Sequence, residues 1–135
     1  MRITLTSIQP PHTDNIFTGK KTIEWRKREL PTGEHHIYET KKNSGAGLVI
    51  GTVRVLRHYY FNSIDEIPDY LIEEGCVTRN YLKLYAGKNE IYANILFDPI
   101  KFETPKQLNE YYSAKTGEKI NLPPQSYMYA ILKEN

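Results

Sequence analysis

Five cations crowd into nine residues of this chain: Lys20, Lys21, Arg26, Lys27 and Arg28. Gly19 precedes them and an acid, Glu24, stands among them. Ammonium and guanidinium groups at this density bind anions, phosphate above all, and an acid in their midst fixes the orientation of single side chains. Gly19 lets the chain turn closely past a ligand. Read as a strand over residues 22–27, the segment sends Ile23 and Trp25 to one face and Thr22, Glu24 and Arg26 to the other. Glu24 and Arg26 then lie side by side, and the opposite charge keeps Glu24 ionised. Lys21 sits just before the strand, within reach of a phosphate, a carbonyl or Glu24. The competing account is a charged strand edge that discourages aggregation, with an Arg–Glu pair tying strand ends together.

Other chemistries find less support. Gly19-Lys20-Lys21-Thr22 has the tail of a phosphate-binding loop, but position 14 is Asp14 instead of glycine and Lys21 stands where Ser or Thr is required. Nucleotide hydrolysis by such a loop is rejected. His35 and His36, as neighbours on a strand, point to opposite faces, and His12 and His58 lack ligand partners at useful spacing. No metal and no cofactor are expected. No Gly-x-Ser-x-Gly elbow occurs. Cys76 is the only cysteine, which rules out an internal disulfide, and nothing near it in sequence would activate its thiol. Tyrosine is the second unusual feature: there are eleven, clustered at Tyr59-Tyr60-Phe61, at Tyr111-Tyr112 and at Tyr127 with Tyr129. Aromatics beside cations stack unpaired bases while the cations hold phosphate. Taken singly, each tyrosine equally well fills a small core with its hydroxyl at the rim.

These groups need a scaffold. Residues 2–8 alternate as a strand that ends at Pro10-Pro11, and residues 12–17 form a short helix stopped by Gly19. Further strands are expected over 22–27, 35–40, 48–59, 90–97 and 127–133, with Gly51 marking a bend or bulge. Ser63-Ile64-Asp65-Glu66 reads as a capping box that opens a helix. Thr78 caps another, in which Leu82, Tyr85 and Ala86 share a face before Gly87, and Thr104-Pro105-Lys106-Gln107 starts a last one. Strands at both ends with helices mid-chain predict an α+β fold: a small, mostly antiparallel barrel of about six strands with peripheral helices, residues 1–135 forming one domain. The composition, 39% hydrophobic and 25% charged, is globular, and a net charge of +2 does not by itself announce a nucleic-acid binder. No apolar run approaches the roughly 18 residues that span a membrane. The basic N-terminus is followed by no apolar stretch, so a cytoplasmic monomer is the expectation.

The run Gly19-Lys20-Lys21-Thr22-Ile23-Glu24-Trp25-Arg26 matches the G-x-K-x-x-E-x-R motif of ASCH domains. Residues 78–88, from Thr78 to Lys88, and Pro123-Pro124-Gln125-Ser126-Tyr127 agree with many bacterial members. The chain therefore resembles the ASCH family, whose domains are similar to PUA domains. The resemblance implies a PUA-like barrel that binds single-stranded RNA or a modified nucleoside and has a role in RNA metabolism or regulation. Its cleft would be lined by Lys20, Lys21, Thr22, Glu24 and Arg26, aided by Tyr85, Lys88, Gln125 and Ser126. Some bacterial members are amidohydrolases that deacylate acetylcytidine, using a lysine, a threonine three residues later and a glutamate on a later helix; others have been proposed as ribonucleases. Here Lys21 occupies the lysine position, Glu24 the threonine position, and the glutamate position falls near Tyr81. A carboxylate in place of a hydroxyl departs from that mechanism. The alternative to a binding module is then a nucleoside or RNA hydrolase with Lys21 as base and Glu24 as acid or orienting partner. A protein-interaction domain is the third reading.

Overall fold

The computed structural model describes residues 2–133. Seven strands and three helices follow in the order β1 Arg2–Ile8, α1 His12–Phe17, β2 Ile23–Arg26, β3 Gly33–Glu39, β4 Leu48–Phe61, α2 Asp69–Glu74, α3 Arg79–Ala86, β5 Ile91–Lys106, β6 Tyr111–Ser113 and β7 Tyr127–Leu132. The strands form one sheet in the order β2-β5-β4-β3-β1-β7-β6. All neighbours are antiparallel except β1 and β3, which the crossover through α1 and β2 makes parallel.

The α+β class agrees with the sequence reading, but the sheet is open, with β2 and β6 as its edges, and it has seven strands where a barrel of about six was expected. The additional strand, β6, is three residues long, too short to show alternation. The helix expected at Thr104 is also absent. β5 runs through to Lys106, and the cap signal belongs one turn later, where Gln107 and Glu110 cap each other across the short 3-10 turn Leu108–Glu110. Pro99 and Pro105 are tolerated because β2 pairs only with Tyr92–Ile95, so no strand on that side asks for their missing N–H. Ser63 caps a 3-10 turn, Ile64–Glu66, and α2 begins only after Pro68.

Three apolar clusters hold the sheet and its helices together. Ile23 and Trp25 of β2 pack with Ile72 of α2, Leu82 and Ala86 of α3, and Ile91. Ile16 of α1 packs with Ile37, Val53, Val55 and Leu96. Leu5, Val49, Tyr111 and Ala130 fill the other end. Gly51 stands at register shifts of β4 against both neighbours, the bulge anticipated from sequence. A Cβ there would lie 2.5 Å from the Ile100 carbonyl oxygen and 2.6 Å from Phe17 Cε1. Gly51→Ala should therefore cost about 1–3 kcal/mol by overpacking, measured by urea denaturation. An unchanged midpoint would mean that the bulge relaxes freely.

His35 and His36 are both buried, and their ring nitrogens lie within hydrogen-bond distance of neighbours in the fold. The Nδ1 atom of His35 is 2.7 Å from the Thr6 hydroxyl and its Nε2 is 2.6 Å from the Pro31 carbonyl; His36 Nδ1 is 2.8 Å from the Tyr111 hydroxyl. Burial holds both imidazoles below their ordinary value of 6.5, against the Pro31 carbonyl in one case and Glu34 in the other. The unfolded chain takes up protons near pH 6.5 that the fold refuses. Stability should thus be complete above that pH and decline as pH falls through it, by up to about 1.4 kcal/mol per pH unit for each histidine. Equal urea midpoints at neutral and mildly acidic pH would contradict this.

Candidate functional site

The segment that carries the basic motif is clamped from both sides before β2 begins. Gly19, with φ of 82°, closes α1. The Lys21 N–H donates to Asn15 O at 2.9 Å, and the Thr22 N–H donates to Glu74 O, also at 2.9 Å. This places Lys21 beneath the surface, its side chain only 1% exposed. Its Nζ donates to the Gly75 carbonyl at 2.6 Å and lies 3.3 Å from Glu24 Oε1. The other carboxylate oxygen, Oε2, accepts from Arg26 Nε at 2.9 Å. Arg26 then reaches off its strand: Nη2 donates to Ser7 O at 3.1 Å and Nη1 to Ser126 Oγ at 3.2 Å. Ser126 is held in place because its carbonyl accepts from the Ser7 N–H.

Burial pushes the Glu24 carboxyl up, but Arg26 and then Lys21 outweigh it, and the group is held below its ordinary range. Glu24 is therefore ionised with both oxygens committed to cations. The cations are not saturated. Lys21 has three donors and Arg26 five; one N–H of each, and the Ser126 O–H, find no acceptor among the described residues. A trio of net charge +1 with spare donors can hold a phosphate or a polarised carbonyl oxygen.

These groups lie in a cleft of about 500 Å³. One wall is α3, where Tyr81 and Tyr85 stand one turn apart with rings parallel within 4° and centroids 6.3 Å apart. Lys27 Nζ sits 5.1 Å from the Tyr85 ring centre. His12, at the start of α1, lies 6.1 Å ring to ring from Tyr81. Its Nδ1 is buried without a hydrogen-bond partner among the described residues, and burial together with the Lys21 ammonium holds the imidazole below its ordinary value of 6.5, which favours the neutral form. Burial and the nearby Glu24 charge likewise raise the Tyr81 hydroxyl above its usual range.

Of the residues singled out from sequence, Lys21, Glu24, Arg26, Tyr85, Gln125 and Ser126 meet at this cleft. Three do not. Lys20 is exposed and does not line the cleft, the Thr22 hydroxyl donates to the Glu74 carboxylate, and Lys88 lines a separate hollow with Asp65 and Lys83. Sequence reasoning left out His12 and Lys42, and met Tyr81 only as the position near which the amidohydrolases carry a glutamate, not as part of an aromatic wall. For Tyr81 a signal existed, because it is four residues before Tyr85 on a helix whose start was legible. For His12 and Lys42 there was none, since only the folded chain brings them to the cleft.

No family model matches the chain, and no curated protein matches it. Solved structures do. The crystal structure of ASCH from Zymomonas mobilis superposes with a TM-score of 0.74 at 23% identity, covering 93% of this chain and 85% of that one. A serine-to-alanine variant of the same protein gives 0.74 at 22% identity, covering 93% and 86%, and a tyrosine-to-phenylalanine variant gives 0.70 at 23%, covering 93% and 88%. The chain has the fold of these ASCH proteins.

Proposed function

We propose that this chain, which has the ASCH fold, is an ASCH domain that binds single-stranded RNA or a modified nucleoside in the Lys21–Glu24–Arg26 cleft. The reading carries with it a place in the PUA-like superfamily, a cytoplasmic location and a role in RNA metabolism. One observation supports it most: buried Lys21 and half-buried Arg26 share a single carboxylate, keep N–H donors without an acceptor among the described residues, and line a cleft with an aromatic wall. Because Lys21 is buried, a backbone running over the surface would not touch it; a ligand must insert a group. Lys27, Arg28 and Lys42 at the mouth supply further phosphate partners. Among the described residues no helix is long and apolar enough to cross a membrane.

The test is titration of fluorescent single-stranded RNA at two salt concentrations. Three phosphate contacts on a single strand should lower affinity roughly 20-fold between about 50 and about 200 mM salt. Salt-independent binding would remove phosphate from the account. A second reading, hydrolysis of a nucleoside amide or of RNA, is favoured by His12, a neutral imidazole beside the donor cluster. In that reading Lys21 stabilises the developing oxyanion, His12 takes the proton of the attacking water and returns it to the leaving amine or ribose oxygen, and Glu24 orients rather than donates. Turnover of acetylcytidine or RNA that survives in both His12→Ala and Lys21→Ala would end it.

A further inference from the structure

The cleft does not stop at Ser126. Tyr127 lines it, and Tyr129, two residues on and on the same face of β7, lines a second hollow of about 660 Å³. The two rings are 6.1 Å apart, edge to face, and are 37% and 39% exposed. One continuous segment borders both hollows: Glu29 and Leu30 line the first, and Pro31, Thr32 and Gly33 the second. The second hollow also has its own cations. The Arg2 guanidinium lies 4.3 Å from the centre of the Tyr129 ring and has no acidic partner among the described residues. Arg54 is there too, 4.0 Å from Glu34, the one acid of the hollow.

A single exposed tyrosine needs no explanation. Two on successive outward positions of one strand, leading from a cationic cleft to a second hollow whose Arg2 has no acidic partner among the described residues, form a track. Aromatic faces stack unpaired bases without regard to sequence, and a guanidinium against a ring can pair with phosphate while it stacks. We propose that Tyr129 and Arg2 form a second base-binding subsite, so that the ligand is a single-stranded oligonucleotide and not a free nucleoside. This rests on the reading of the Lys21 cleft as a nucleotide site and extends it: one nucleotide inserts beside Lys21 and its neighbours run along Tyr127 to Tyr129.

The experiment measures how affinity grows with ligand length. A labelled RNA tetranucleotide is titrated by fluorescence anisotropy, and a nucleoside monophosphate is measured by competition, on wild type, Tyr129→Ala, Tyr129→Phe and Arg2→Glu. Wild type should bind the tetranucleotide at least about tenfold more tightly than the mononucleotide. Tyr129→Ala and Arg2→Glu should lose most of that gain and leave mononucleotide binding unchanged, and Tyr129→Phe should keep it. Thermal melts check folding, and if Tyr129→Ala melts early, Arg2→Glu carries the comparison. Equal affinity for the two ligands in wild type, or a full length gain in Tyr129→Ala and Arg2→Glu, would overturn the subsite and leave the cleft reading standing. Absence of binding to either ligand would overturn the cleft reading, and the subsite with it.

Discussion

Replacing Glu24 with glutamine should destabilise the fold by about 3–5 kcal/mol, although the side chain keeps its size. Among the described residues Glu24 is the only carboxylate that touches the buried Lys21 ammonium, and it also takes the Arg26 guanidinium. Without its charge, two cations face each other with little solvent to screen them, their side chains 1% and 16% exposed. The loss is that of uncompensated buried charge and not the worth of two ion pairs. The double variant Lys21→Met with Glu24→Gln should accordingly lose less than the sum of the single variants, because it removes one of the stranded cations. Simple additivity in a urea series would mean that the three groups are not coupled. The acid limb follows the same arrangement. Because Arg26 and Lys21 outweigh burial and hold Glu24 below its ordinary value of 4.5, its contribution is present above that value and is lost as pH falls through the folded one.

Gly75→Ala should have the second-largest effect, on stability and on ligand binding together. Gly75 closes α2 with φ of −89°, so an alanine suits the backbone, but its Cβ would lie 2.5 Å from Trp25 Cδ1 and Nε1. The indole is buried in the core cluster with Ile23, Ile72 and Leu82. Overpacking of this kind costs about 1–3 kcal/mol. The Gly75 carbonyl also receives the Lys21 ammonium at 2.6 Å, so a backbone shift at Gly75 that relieves the clash displaces the acceptor that positions Lys21. The expected result is a lower urea midpoint together with weaker RNA binding. A variant that is destabilised but binds normally would show that the Gly75 carbonyl does not position Lys21.

The half of the site that belongs to β2 was readable in the sequence. A strand repeats every two residues, so Glu24 and Arg26 had to share a face, and Ile23 and Trp25 had to face the helices. Helix α1 and strand β1 likewise stand at the expected bounds, where proline and glycine punctuation agreed with the apolar pattern. What could not be read was which cations are buried. The motif resemblance singled out Lys21 over Lys20, but the Gly75 carbonyl that holds its buried ammonium is 54 residues away and no spacing reports it. The serine that Arg26 reaches is 100 residues away, and there the motif resemblance supplied what spacing could not. Lys88 was misplaced because Gly87, with φ of 62°, turns the chain away from the cleft at the end of α3. The open sheet was missed because closure depends on whether edge strands meet, which alternation along one strand does not report.

The central claim is that the ligand enters the cleft floored by Lys21, Glu24 and Arg26, and amide chemical-shift mapping during titration with single-stranded RNA tests it most directly. The predicted result is a contiguous set of perturbed amides at residues 21–28, around Tyr81 and Tyr85, and at residues 125–127. Perturbations confined to the hollow of Asp65, Lys83 and Lys88, or to the exposed face of β4, with the cleft amides unmoved, would contradict it.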